Sequence, residues 1–240
     1  MNEDSDMSNL AVITGASRGI GNATAQLFVE FGYAVVNISR TPASLDGVTN
    51  INADMSEPGW LEGVSDELIA QLDGADEIAL VHNAGMMVLD RVGDMIAEQL
   101  RRMFEVNVVA SCALNDLLIP LMKEGSSIVY VGSTLSEKSV PGVASYATSK
   151  HAVIGLMRST CQDLVGAGIH TACVCPGLTD TDMLRGSAGN DPDVIANMAR
   201  MQTFNRLVEP EEIAAAILSV VGQPVFNGAV LHANLGQISH

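Results

Sequence analysis

The chain has 240 residues, with 28 acidic side chains against 12 basic ones and a formal charge of −16. Apolar residues make up 48% and charged residues 17%, which excludes a disordered chain and suits one well-buried domain. So acidic a chain is not expected to bind nucleic acid, which needs a basic face, or to dock on anionic membranes.

Residues 1–9, MNEDSDMSN, read as a mobile acidic tail, and residues 10–240 as a single domain. The acidic start does not resemble a secretory leader, and no run of about 18 apolar residues suggests a membrane span. Cys112, Cys161, Cys173 and Cys175 lie in apolar surroundings, not at disulfide-framework spacings. A cytoplasmic protein is expected. Residues 10–14 form a short β-rich run that ends in a glycine turn. Residues 20–31 follow with Ile20, Ala23, Leu27, Phe28 and Phe31 at helical spacing. Further strands are predicted at 33–39, 48–54, 77–85, 126–133, 168–177 and 228–233. Helices are predicted at 58–72 (opening on Pro58), 94–122, 144–168 and 209–221. Strand and helix alternate, and several strands are apolar throughout. That is the pattern of a doubly wound parallel sheet of about seven strands, covered by helices on both faces.

Between the first strand and the first helix runs Thr14-Gly15-Ala16-Ser17-Arg18-Gly19-Ile20-Gly21. Glycines allow a tight turn and close approach of a pyrophosphate, and the free N–H groups of the helix start attract it. The spacing is GxxxGxG, so position rather than the string carries the signal. Tyr146 and Lys150 are four apart in a helical segment and share a face. A phenol is a weak acid–base group at neutral pH, and an ammonium beside it lowers its pKa. The pair suits proton exchange with a carbonyl or alcohol oxygen. Ser133 ends the preceding strand, where ligands bind in such sheets. Alone it reads as a loop cap. Asn107 sits inside a long helix, where asparagine is a poor residue, and so kinks the helix or binds a water.

These motifs occur together in one order: TGASRGIG at 14–21, Asp54, HNAG at 82–85, Asn107, Ser133, YATSK at 146–150, CPGLTDT at 175–181 and EPEEIA at 209–214. In this the chain resembles the short-chain dehydrogenase/reductase family over residues 10 to 235. The resemblance implies a Rossmann-type fold and an oxidoreductase that interconverts a carbonyl and a secondary alcohol. It makes Tyr146 the general acid/base, and Lys150 the holder of the nicotinamide ribose. Ser133 would orient the substrate oxygen, and Asn107 would position a water. It assigns the cofactor to Gly15, Ser17, Arg18, Gly19, Ile20, Gly21, Asp54, Met55, Asn83, Ala84, Gly85, Pro176, Gly177 and Thr179, with Asp54 receiving the adenine amine. No metal is implied.

At the end of the second strand, Ser39-Arg40-Thr41 replaces the acid that would accept from a ribose 2′-hydroxyl. Arg40 and Arg18 suit a 2′-phosphate, so NADP(H) is favoured over NAD(H). Two departures from the family pattern stand out. Residues 41–52 are too short for a full helix, and His82 replaces the commoner asparagine and reads as packed. A substrate lid is expected near 181–204, with Met183, Leu184, Met198, Met201 and Phe204 giving an apolar lining that suits a neutral carbonyl compound. Leu135, Val140 and Val143 add to it.

An alternative is a 3-oxoacyl-(acyl-carrier-protein) reductase. Such relatives offer arginines to the acidic carrier where this chain has Gly125-Ser126-Ser127 and Gly166-Ala167-Gly168. A further alternative, from another class, is a non-catalytic NADP-binding sensor or scaffold. Cys173 and Cys175 read as buried structural thiols. Relatives pair the helices near 94–122 and 146–166 between subunits, which implies a homotetramer or homodimer.

Overall fold

The structure, a computed structural model, describes residues 9–237. Most of the expected acidic tail lies outside these residues; Asn9 itself belongs to the first strand. Seven strands form one sheet: β1 (Asn9–Thr14), β2 (Ala34–Ser39), β3 (Val48–Asn52), β4 (Glu77–His82), β5 (Ser127–Val131), β6 (His170–Pro176) and β7 (Val230–Ala233). Every pairing is parallel, in the order β3-β2-β1-β4-β5-β6-β7. The order reverses between β1 and β4, which opens a crevice at their carboxyl ends.

Successive strand side chains point to opposite faces, so each strand feeds two cores. On one face Val12, Ile38, Leu80, Tyr130 and Cys173 meet Leu114, Leu118, Ile154 and Met157 from α4 (Ala110–Leu118) and α5 (Ala144–Asp163). On the other, Ile13, Val35, Val81, Val129 and Val174 meet Phe28, Ile213 and Ile217 from α1 (Gly19–Glu30) and α8 (Pro210–Val221). A fully buried side chain of this kind stabilises the fold by about 2–3 kcal/mol.

A chain of polar groups crosses the first core. The His82 ring nitrogen Nε2 lies 2.8 Å from Asn115 Oδ1. Asn115 Nδ2 donates to the Tyr130 hydroxyl at 2.7 Å, which stands 2.9 Å from Thr160 Oγ1. Burial lowers the His82 pKa to about 4, against an upward pull from Asn115, so the ring is neutral and packed, as its position before Asn83 suggested.

Several helices differ from expectation. Only α2 (Ser65–Gln71) forms in the 58–72 segment, because Gly59 takes a left-handed turn at φ +74 right after Pro58. The long helix at 94–122 is α3 (Ala97–Phe104), then a π-helical turn over 105–109, then α4 and a 3-10 turn over 119–121 that carries Pro120. An 18-residue window within Ala97–Leu121 has a mean hydropathy of 1.4, a length and composition that core helices of globular proteins share. In the fold its residues Met103, Leu114 and Leu118 are buried. Val109 and Leu121 on the same stretch remain 43% exposed each, so its outer side is not covered within one chain.

Candidate active site

Four segments meet at the crevice. The first is the glycine turn, in which Gly15 and Gly19 take φ +72 and +56, conformations that side-chain-bearing residues rarely adopt. A Cβ on Gly21 would collide with the Gly15 carbonyl and the Asn83 amide. The Ala16 N–H is held by Asn37 Oδ1 at 2.9 Å. Helix α1 starts after Arg18, whose side chain makes no cap, and its first turn has no acid. The N-terminal N–H groups meet no carboxylate from their own first turn, and the glycines at 15, 19 and 21 keep the backbone of the turn open to close approach. This cradle fits a dinucleotide diphosphate.

The second segment is Asn83-Ala84-Gly85 after β4. The Thr14 hydroxyl accepts from the N–H groups of Asn83 and Ala84 at 3.0 and 2.9 Å. Asn83 Nδ2 donates to the carbonyls of Thr14 and Gly15 at 2.9 and 3.1 Å. Asn83 thus locks β4 to the glycine turn.

At the end of β2, Arg40 has its guanidinium 3.9 Å from Asp54. Asp54 Oδ1 accepts from the Ser56 N–H and hydroxyl at 3.0 and 2.7 Å. Burial alone would raise the Asp54 pKa. The Ser56 bonds and the charges of Arg40 and Arg102 outweigh it and hold the carboxyl below its usual range. Met55 beside it is buried. Arg18 reaches Asp182, at the start of α6 (Asp182–Ser187), at 3.8 Å.

The third segment carries Tyr146 and Lys150 on α5. Lys150 is buried, and its Nζ donates to the Val131 carbonyl at 2.7 Å and lies 5.8 Å from the Tyr146 ring centre. Burial lowers the Lys150 pKa to about 8, while the thiols of Cys173 and Cys175 pull it upward. Burial likewise pushes Tyr146 up to about 12, against a hydrogen bond with Ser133 that pulls it down. The expected depression of the tyrosine by its lysine is therefore not the outcome here: desolvation of the phenolate wins. Ser133 serves both as a loop cap and as a Tyr146 partner. Its Oγ accepts from the Leu135 N–H at 3.0 Å.

Asn107 lies in the π-helical turn and is buried. Its Oδ1 accepts from the Met86 N–H at 2.8 Å, and its Nδ2 donates to the Met86 carbonyl and to Ser149 Oγ at 3.0 and 2.9 Å. The side chain is a clamp between the loop after β4 and α5, and a π-turn is a usual device for placing such a group.

The fourth segment follows β6. Gly177 packs where a Cβ would strike Asn234, and the buried Thr179 donates to the Gly177 carbonyl at 3.1 Å. The expected lid at 181–204 holds α6 and α7 (Pro192–Arg200). Thr181 stands over the glycine turn, within 3.2 Å of a Cβ built on Gly19. Its arginines are occupied. Arg185 binds Asp180 at 2.5 Å and Arg200 binds Asn197 at 2.5 Å. Just beyond the lid, Arg206 binds Glu212 at 2.6 Å. Cys173 and Cys175 are buried, with their sulfurs 3.7 Å apart beneath Gly132.

Sequence reading missed Asn37, the Thr14 hydroxyl, Ser149 and Asp90. Asn37 left a signal, an asparagine in an otherwise apolar strand. The others left none, since the Thr14–Asn83, Ser149–Asn107 and Asp90–Ser145 pairs each join residues 40 or more apart in the chain.

A pyrophosphate cradle beside a Ser–Tyr–Lys cluster, on a doubly wound sheet, defines a dinucleotide-dependent oxidoreductase of the short-chain type. The family model described as enoyl-(acyl carrier protein) reductase matches residues 15–237. The chain belongs to the short-chain dehydrogenase/reductase family. It is 29% identical over 239 residues to the 3-oxoacyl-[acyl-carrier-protein] reductase FabG of Vibrio cholerae, covering 95% of this chain and 96% of that one. It is 32% identical to cis-4-hydroxycyclohexanecarboxylate dehydrogenase of Sinomonas cyclohexanicum, covering 87% of each. Among solved structures, the aldohexose dehydrogenase of Thermoplasma acidophilum superposes with a TM-score of 0.87 at 26% identity, covering 95% and 93% of the two chains. A blue fluorescent protein from a metagenomic library, solved with NADPH, gives 0.85 at 26% identity, covering 96% and 98%.

Proposed function

We propose that the protein is an NADP(H)-dependent oxidoreductase that interconverts a carbonyl and a secondary alcohol, with Tyr146 as general acid/base. The carrying observation is the Tyr146–Ser133 hydrogen bond with the buried Lys150 ammonium beside it. The nicotinamide, when bound, supplies or takes the hydride. In reduction the Tyr146 hydroxyl gives its proton to the substrate oxygen, which Ser133 also holds by hydrogen bonding. Lys150 provides positive charge at the site where negative charge develops. In this reading Lys150 also holds the nicotinamide ribose, Asn107 positions a water that links Lys150 to solvent, and Pro176, Gly177 and Thr179 flank the nicotinamide.

Arg40 and Arg18 are the groups for the 2′-phosphate. Both are exposed, and among the described residues each has a single long ion pair to exchange for a phosphate. The uncovered outer side of Ala97–Leu121 supports a homodimer or homotetramer, and the reading keeps the cytoplasm as its compartment. The test is the loss of reduced-nicotinamide absorbance with NADPH and, separately, NADH over a panel of ketones, diketones, quinones and a β-ketoacyl thioester. Turnover that prefers NADPH and vanishes in Tyr146→Phe is expected. Equal affinity of the parent protein for both cofactors, or no effect of Arg40→Ala on their difference, would sink the cofactor assignment.

The similarity to acyl-carrier-protein reductases supports a second reading. Against it, a Cβ on Gly125 would meet Glu77 and one on Gly168 would meet Glu124, so acids rather than arginines flank these glycines. An acidic carrier would be repelled there. Preference for the β-ketoacyl thioester over every other panel member would favour this reading.

A further inference from the structure

The catalytic helix α5 lacks a cap of its own. It starts after Val143, whose side chain cannot accept a hydrogen bond. The cap comes from Asp90, 55 residues earlier, on the loop that follows Gly85. Asp90 Oδ1 accepts from the Ser145 N–H at 3.0 Å, and Oδ2 accepts from the buried Ser145 hydroxyl. The backbones are tied as well. The Asp90 N–H donates to the Gly142 carbonyl at 3.0 Å, and the Ala144 N–H to the Asp90 carbonyl at 3.3 Å. Ser145 immediately precedes Tyr146.

The same loop is held at its other end by Asn107, which clamps both backbone groups of Met86. Asn107 also donates to Ser149 Oγ, and Ser149 Oγ donates to the Tyr146 carbonyl at 2.8 Å. A closed circuit of hydrogen bonds thus runs from Asn107 through Met86, the loop, Asp90, Ser145, Tyr146 and Ser149 back to Asn107. Tyr146 is fixed from both sides, by Ser149 behind it and by Asp90 through Ser145 ahead of it.

We propose that Asp90 is a positioning residue for the reaction, capping α5 from outside the helix and thereby setting the position of the Tyr146 hydroxyl against the substrate oxygen. It rests on the assignment of Tyr146 as the acid/base. A displacement of about 1 Å in such a group costs on the order of 100-fold in rate. The loop it pins is the continuation of Asn83-Ala84-Gly85, so the circuit also ties the cofactor side of the crevice to the catalytic helix.

The test uses the full chain with Asp90→Ala, Asp90→Asn, Ser145→Ala and Tyr146→Phe. The readouts are kcat and KM on the best panel substrate and NADPH affinity by fluorescence titration. Asp90→Ala is expected to lower kcat about 10- to 100-fold with NADPH affinity unchanged. Asp90→Asn keeps the acceptor for the Ser145 N–H and can donate to its hydroxyl, so it should restore most of kcat. Ser145→Ala keeps the helix cap and loses one bond, and should fall between. Parent-like kcat in Asp90→Ala overturns the proposal. So does a matching loss of kcat and NADPH affinity, or an Asp90→Asn variant as slow as Asp90→Ala. Should Asp90→Ala not fold, Asp90→Asn and Ser145→Ala decide: a graded loss of kcat at constant NADPH affinity supports the proposal, and parent-like kcat in Ser145→Ala overturns it. Persistence of activity in Tyr146→Phe would instead overturn the acid/base assignment, and this proposal with it. Its loss there, with Asp90→Ala silent, would sink this proposal alone.

Discussion

Gly132 is the last residue before Ser133, and its missing side chain is what lets two thiols lie beneath the loop that carries Ser133. A Cβ there would stand 2.7 Å from Cys173 Sγ, 2.8 Å from Cys175 Sγ and 3.0 Å from Ser136 Oγ. The two sulfur contacts fall about 0.6–0.7 Å inside the 3.4 Å at which ordinary contact begins. Both sulfurs sit on β6, which is buried and paired on both sides, so the strain must pass upward into Gly132 and Ser133. Gly132→Ala should therefore cost about 1–3 kcal/mol of stability by overpacking and lower kcat on the order of 10- to 100-fold by shifting the Ser133 hydroxyl. Cys173→Ala/Cys175→Ala removes both sulfurs, and on that background Gly132→Ala should be nearly harmless. The assay is a double-mutant cycle on kcat and on thermal unfolding, with NADPH affinity as control. Additive effects, with Gly132→Ala equally damaging in both backgrounds, would refute the steric argument. A parent-like Gly132→Ala would refute the placement of the thiols themselves.

Three further outcomes are expected. With Lys150 at about 8 and Tyr146 at about 12, kcat/KM for carbonyl reduction should fall above about pH 8 as the ammonium loses its proton, while the phenol remains a donor. Lys150→Arg, always charged, should keep a flat profile there at a lower rate; a persisting limb would count against Lys150. The folded-state pKa of His82, about 4, lies below the ordinary 6.5, so the unfolded chain binds more protons in that window and stability is lost as pH falls through it. The loss approaches about 3 kcal/mol at 1.36 kcal/mol per unit, and thermal melts of His82→Asn should be less acid-sensitive than the parent. Thr14→Val removes the acceptor of the Asn83 and Ala84 N–H groups, and should cost about 2–4 kcal/mol and weaken NADPH binding in calorimetry.

Much of this was legible in the sequence because it rests on local pattern. Continuous apolar strands alternating with helices give the parallel sheet. The motifs sit at the carboxyl ends of β1, β4, β5 and β6, where the crevice forms. What sequence did not carry was long-range polar pairing and the balance of opposing terms. Pro58 is a good first residue for a helix, yet Gly59 beside it turns left-handed. The Tyr146–Lys150 spacing fixed a shared face, but whether the ammonium or desolvation dominates depends on burial that spacing does not encode. Asn107 was legible as an anomaly in a helix. Its partners, Met86 and Ser149, were not.

The π-turn at 105–109 has a further consequence, for how the chain tolerates change in length. In an α-helix each residue advances the face by about 100°. The wide turn at 105–109 absorbs one extra residue, so a single deletion there that restored a regular α-helix would leave Leu114, Asn115 and Leu118 facing the sheet and would cost only the reach of Asn107 to Met86. A one-residue change within α4 would instead turn its core face from the sheet, so the π-turn is where this helix can change length, at the expense of the Asn107 clamp.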